Sequence, residues 1–99
     1  MPVTHVVLIA WSPTVPAAHL ERAREVARGL VTKIPGLSSV VEGPSVSAEG
    51  LEGPYDYGMV MTFADADARD AYLPHPAHQE FVALLADDAV SQVTVFDLS

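Results

Sequence analysis

Val3-Thr4-His5-Val6-Val7-Leu8-Ile9-Ala10-Trp11 is the stretch that decides the fold. It is rich in β-branched residues and reads as a strand. A period of two sends His5, Val7, Ile9 and Trp11 to one face and Val6, Leu8 and Ala10 to the other. Both faces are apolar, and a strand apolar on both faces is buried on both. Ser12-Pro13 ends it. Whatever surrounds this strand must therefore supply two covers, in a chain of only 99 residues.

The neighbouring segments supply one of them. Pro16–Ile34 reads as a helix, with Thr14 as its expected cap and Leu20, Ala23, Ala27, Leu30, Val31 and Ile34 at helical spacing. Glu21–Arg24 and Glu25–Arg28 are spaced to pair across its outer side. Pro35-Gly36 stops it. Leu37–Ser47 is a second strand, placed at an edge or bulged because Gly43-Pro44 interrupts it. After a loop over Ala48–Pro54 comes a third strand, Tyr55–Phe63, with Tyr55, Tyr57, Met59, Met61 and Phe63 on one face. Asp65 is spaced to cap a short helix to about Leu73. Pro74 and Pro76 break it, a further helix runs to about Ala86, and Val90–Leu98 is the fourth strand. The order βαββαβ is the ferredoxin-like α+β pattern, with helices on one face of a four-stranded antiparallel sheet. The second apolar face then calls for a homodimer packed sheet to sheet.

Composition excludes several functions. Thirteen acidic side chains against five basic ones give a formal charge of −8. That disfavours nucleic acid and anionic membranes, which need clustered Lys and Arg. There is no cysteine, hence no disulfide, thiolate nucleophile or Cys-based metal site. No targeting segment or membrane-length apolar run is visible, so a single cytoplasmic domain over residues 1–99 is expected. No Gly-rich phosphate loop is present. The acidity points to an uncharged, apolar small molecule as substrate rather than a coenzyme A ester or an acidic carrier protein.

The densest polar chemistry lies in Tyr72-Leu73-Pro74-His75-Pro76-Ala77-His78. Two prolines make a rigid corner around His75. Tyr72 ends one helix and His78 starts the next, so both can turn toward the sheet, where His5 sits. The residues alone also fit a structural role: a packed tyrosine ring, a helix-start histidine and a core histidine. Metal binding is not expected, because Pro76 separates His75 from His78 and no carboxylate stands at ligand spacing. His75 reads as a surface corner residue and His19 as solvated. Trp11, Met59, Met61 and Phe81 can line an apolar pocket, though for any one of them ordinary core packing is the stronger reading; Ala23 and Ala27 either leave room for that pocket or simply permit close packing.

The chain resembles the stress-responsive A/B barrel family of dimeric α+β barrels. The resemblance rests on Thr4-His5-Val6-Val7, Ile34-Pro35-Gly36-Leu37, Glu42-Gly43, Phe63-Ala64-Asp65, the run Ala71–Phe81 and Val95-Phe96-Asp97. It spans nearly the whole chain, and the Tyr…HPxH…F run is its most specific part. The family includes a plant polyketide cyclase that closes a linear poly-β-ketone by aldol condensation without metal or cofactor. The resemblance implies Tyr72 and His78 as catalytic residues and His5 as support; a pocket tyrosine of that cyclase is replaced by Ala27. Such a condensation needs a base for an acidic CH₂ and a donor for the oxyanion, roles that imidazole and phenol suit. A related lyase belongs to the same expectation. The alternatives are a non-catalytic small-ligand-binding protein of this family and a cofactor-free oxygenase of aromatic polyketides, for which Trp11 is the hint.

Overall fold

A computed structural model describes all 99 residues. The elements are β1 (Val3–Trp11), α1 (Ala17–Lys33), β2 (Leu37–Pro44), β3 (Tyr57–Phe63), α2 (Ala66–Tyr72), α3 (Pro76–Leu84) and β4 (Val90–Leu98). One antiparallel sheet has the order β2-β3-β1-β4. This is the ferredoxin-like arrangement, with the three helices on one face. β1 lies inside the sheet, as its two apolar faces require, and β2 lies at an edge, as Pro44 requires.

Register fixes the faces. His5 pairs with Met61 and Asp97, Val7 with Met59 and Val95, and Ile9 with Tyr57 and Val93. Those residues all face the helix side. There Ile9, Leu30, Met59, Met61, Phe63 and Tyr72 are the largest fully buried side chains. Full burial of one such side chain stabilises by roughly 1.5–3 kcal/mol. The other face carries Val6, Leu8, Val41, Val60, Phe96 and Leu98. It is open in the single chain: Val41 is 68% exposed and Phe96 61%.

Several local expectations change. β2 ends at Pro44, not Ser47. Beyond it Ser45 Oγ accepts from the Ser47 amide and Ser47 Oγ from the Glu49 amide, and these local bonds compete with the ladder. β3 begins at Tyr57. Tyr55 leaves the expected face and crosses the open one, where its hydroxyl bonds Thr94, the partner of Leu8. Pro16, not Thr14, precedes α1 as its cap residue, while the Thr14 hydroxyl bonds Ser12. α3 stops at Leu84, and Asp87 turns the chain at a positive φ of 60°. Asp65 caps α2 as expected, accepting from the Ala68 amide at 2.8 Å.

Arg22 pairs with Glu25 within α1 at 3.8 Å, but Arg24 and Arg28 pair away from their own helix. Arg24 donates through Nε and Nη2 to Glu42 at 2.9 and 3.3 Å, and Arg28 donates to it at 3.2 Å. The Tyr57 hydroxyl adds a third partner at 2.8 Å. A half-sunk carboxylate on β2 outcompetes the solvated glutamates of α1, because ion pairs are stronger away from water. His19 is likewise not solvated: its Nε2 donates to the Leu84 carbonyl at 2.7 Å and ties α1 to the end of α3.

Candidate active site

The corner between α2 and α3 is built by its prolines and by His75. The His75 side chain caps α3, its Nδ1 accepting from the Ala77 amide at 3.0 Å. The sequence reading placed His75 as a surface corner; it is the residue that starts the helix carrying His78. The cap occupies one ring nitrogen of His75.

Tyr72, His78 and His5 come together at this corner. The Tyr72 and His78 ring centroids are 4.2 Å apart, and the His5 ring stands edge-on to Tyr72 at 6.0 Å. Phe63 packs beneath, 5.2 Å from Tyr72. Tyr72 is 2% exposed and His5 5%. His78 is half-buried.

The hydrogen bonds fix which atoms remain free. His78 Nδ1 lies 2.8 Å from the Leu73 carbonyl. A carbonyl only accepts, so Nδ1 carries the proton and, in the neutral ring, the lone pair is at Nε2. His5 Nδ1 donates to Asp97 at 2.6 Å, and its Nε2 is the free atom by the same logic. The Tyr72 hydroxyl bonds to no residue of the chain. Yet no buried side-chain nitrogen or oxygen lacks a partner. The hydroxyl and His5 Nε2 are therefore not wholly sealed, although their residues are almost entirely buried. Burial raises the Tyr72 pKa above its ordinary value, so its hydroxyl stays protonated at neutral pH and serves as a donor.

Asp97 belongs to a run that carries the family resemblance, but the sequence assigns it no role. It faces His5 across the β1–β4 ladder and also accepts from Arg69 Nη1 at 2.6 Å. A carboxylate held on its other side by a guanidinium orients the His5 ring. The pairing is invisible before register is known, since 92 residues separate the partners.

None of the four principal cavities is lined by Tyr72, His78 or His5, and the surface beside them is open. The helix layer stops short of β4, so Val93 and Val95 are 43% and 56% exposed although they share a face with buried Ile9 and Val7. These two valines form an apolar floor leading from the Asp97 end. Of the residues predicted to line a pocket, Ala23, Ala27, Met59, Met61 and Phe81 are packed in the core. None of them lines any of the four principal cavities. Trp11 stands six residues along β1 from His5, about 20 Å away, and borders a cavity of its own. No three His, Asp or Glu side chains are grouped to hold a metal ion. No helix is long and apolar enough to cross a membrane.

An antiparallel ferredoxin-like sheet with a tyrosine–histidine corner at one end defines a small α+β protein of the dimeric-barrel class. The chain belongs to the stress-responsive A/B barrel domain family, whose family model matches residues 3–99. It is 30% identical over 96 residues to the stress-response A/B barrel domain-containing protein HS1 of Arabidopsis thaliana, covering 97% of this chain and 87% of that protein. A dimeric ferredoxin-like protein of unknown function from Jannaschia sp. CCS1 superposes with a TM-score of 0.87 at 28% identity, covering 100% of this chain and 99% of that one. Two more distant structures share the fold. The hydroxynitrile lyase of Passiflora edulis has a TM-score of 0.86 at 14% identity, covering 98% and 91% of the two chains. SnoaB, a cofactor-independent oxygenase from Streptomyces nogalater, has a TM-score of 0.74 at 16% identity, covering 99% and 91%.

Proposed function

We propose that the α2–α3 corner is an acid–base site for cofactor-independent carbon–carbon bond chemistry on a small apolar carbonyl compound, as a polyketide cyclase or related lyase. The observation that carries this reading is the convergence of three groups with free reactive atoms: His78 Nε2, the Tyr72 hydroxyl and His5 Nε2. His78 Nε2 removes the proton from a CH₂ between two carbonyls. The enolate carbon attacks a second carbonyl of the same chain, whose oxygen becomes an alkoxide held by the Tyr72 hydroxyl. His78 then returns its proton to that oxygen. The resulting hydroxyl leaves as water with a proton from the adjacent ring carbon, and enolisation of the remaining ketones gives the aromatic ring with no net redox change. His5, oriented by Asp97, holds a substrate oxygen. The apolar tail lies on Val93 and Val95.

This reading makes the chain a cytoplasmic enzyme that works as a homodimer, with the open sheet face covered by a second copy. The exposed Val41, Val60, Phe96 and Leu98 support the dimer, as does the dimeric state of the Jannaschia protein.

The test is ring closure of a linear tri-β-keto thioester, followed by the absorbance of the aromatic product. The wild-type chain accelerates closure over buffer, and His78→Ala returns it to background with the fold intact by circular dichroism. Equal turnover in that variant sinks the proposal. A second reading, ligand binding without turnover, is favoured by the filled core and by the lack of a principal cavity at the corner; it predicts saturable binding of the thioester with no product. Trp11 takes no part in the proposed chemistry, being distant from the corner.

A further inference from the structure

The far end of β1 holds groups that the proposed reaction leaves unused. Trp11 and Tyr57 stand with ring centroids 5.7 Å apart and planes inclined by 52°. With Leu20 they wall a cavity of about 410 Å³, at whose rim stand Glu21, Arg24 and Asp56. Both rings lie on the helix side of the sheet, so a second copy packed on the open face leaves this cavity uncovered.

The charges around it are uneven. Arg24 is spent on Glu42, to which it makes two hydrogen bonds. Glu21 and Asp56 form no ion pair within 4.0 Å. One Asp56 oxygen accepts from the Trp11 amide at 3.2 Å, which holds the carboxylate beside the indole. Both rings border the cavity, Tyr57 with only 4% of its surface exposed, and an aromatic ring attracts a cation placed over its face. Glu21 and Asp56 add to that attraction, partly offset by the Arg24 guanidinium, on which Glu21 also acts, and by the start of α1 at Ala17, whose first turn has no acidic residue. An anion is repelled here, and a neutral guest gains only burial. A bare metal ion finds no cluster of ligands. The overall charge of −8 further concentrates cations around the chain.

We propose that this cavity binds a small free organic cation of the alkylated or quaternary ammonium class. Methyl groups lie on Trp11, Tyr57 and Leu20, and the positive centre faces Glu21 and Asp56. A headgroup bearing its own phosphate fits less well, because that phosphate approaches the same two carboxylates.

Trp11 is the only tryptophan of the chain, so its fluorescence reports on this cavity alone. The full chain is titrated with choline chloride, with sodium chloride at matched ionic strength, with phosphocholine, and with 3,3-dimethyl-1-butanol, the uncharged carbon analogue of choline. Choline gives a saturable change, and the uncharged analogue binds at least about tenfold more weakly. Phosphocholine also binds more weakly than choline. Asp56→Asn with Glu21→Gln weakens choline at least about fivefold and leaves the analogue unchanged. Asn keeps the acceptor for the Trp11 amide. Should that pair of substitutions lower the thermal midpoint, Ala17→Leu, at an exposed helix position on the cavity wall, serves instead by filling the space and abolishing the choline response. Equal affinity for choline and its uncharged analogue overturns the proposal. So does a choline response identical to that of sodium chloride, choline binding indifferent to both sets of variants, or phosphocholine binding as tightly as choline.

Discussion

Tyr72→Phe separates a catalytic tyrosine from a packing one, because the two roles move stability and turnover in opposite ways. The substitution removes one oxygen and keeps the ring that packs on Phe63, His78 and His5. A tyrosine that holds the fold through its hydroxyl loses an intramolecular hydrogen bond, a cost of about 0.5–1.5 kcal/mol. Here that hydroxyl has no partner in the chain, and it is attached to a ring almost wholly withdrawn from water. Its removal costs nothing in bonds and relieves a partial desolvation penalty, so stability is unchanged or rises by up to about 1 kcal/mol. For a chain of this size that is a shift in Tm between zero and roughly +6 °C. Turnover behaves differently. Loss of one preorganised oxyanion donor lowers kcat by about 10²–10³-fold. Differential scanning calorimetry and the ring-closure assay on the same preparation read both quantities. A fall in Tm of several degrees with a proportionate loss of turnover identifies a structural tyrosine and refutes the reasoning. Unchanged turnover refutes it equally. The pH profile adds an independent check: because burial raises the Tyr72 pKa, the wild-type rate has no alkaline fall up to about pH 10, the ordinary tyrosine value.

Other consequences are measurable by standard means. Glu42 is buried, which pushes its pKa up, but hydrogen bonds from Arg24, Tyr57 and Arg28 push it further down, and the net effect is a lowered value. Its stabilisation is therefore present above the unfolded carboxylate pKa, near 4.3, and is lost as pH falls through the lower folded value. Since both arginines are partly solvated, Glu42→Gln costs about 1–2 kcal/mol at pH 7 by urea unfolding. The gap from wild type closes in strong acid; a gap independent of pH contradicts the assignment. Gly36 has a φ of +82°, and a Cβ there would lie 2.6 Å from the Ala68 Cβ. Gly36→Ala therefore costs about 2 kcal/mol or more, and an unaltered urea midpoint removes the claim of close approach. Phe96→Glu places a charge on the open sheet face. Sedimentation velocity at micromolar concentration then gives a dimer for wild type and a monomer for the variant; a wild-type monomer rules out the sheet-to-sheet interface.

Much of the architecture was legible in residue order. The period-two run from Val3 to Trp11, the helical spacing from Leu20 to Ile34 and the punctuation at Pro35-Gly36 and Pro74/Pro76 each select an element locally. The corner bearing Tyr72 and His78 was legible for the same reason, being only seven residues long. Its working details were not. His75 as a cap and Nδ1 of His78 on the Leu73 carbonyl are backbone-directed bonds, and several polar partners compete for such rings until the turn is formed. The pocket residues were legible as apolar, but spacing cannot tell a filled core from a lined cavity. Ala23 and Ala27 are fully buried in the same core as Met59 and Met61, in which α1 packs on β2 and α3.

Local sequence periodicity, then, determined the elements, their order, the helix-covered face of the sheet and the excess of apolar surface on the other. These follow from short-range sterics and from the geometry of helix and strand. The tertiary structure alone decided which distant residues meet: Asp97 and Arg69 at His5, Glu42 between two arginines and Tyr57, and Trp11 in a cavity far from the corner. Each of those contacts depends on strand register and on how far the helix layer extends across the sheet. Both are set by the sum of many weak packing energies spread over the whole chain, which no short stretch of residues contains.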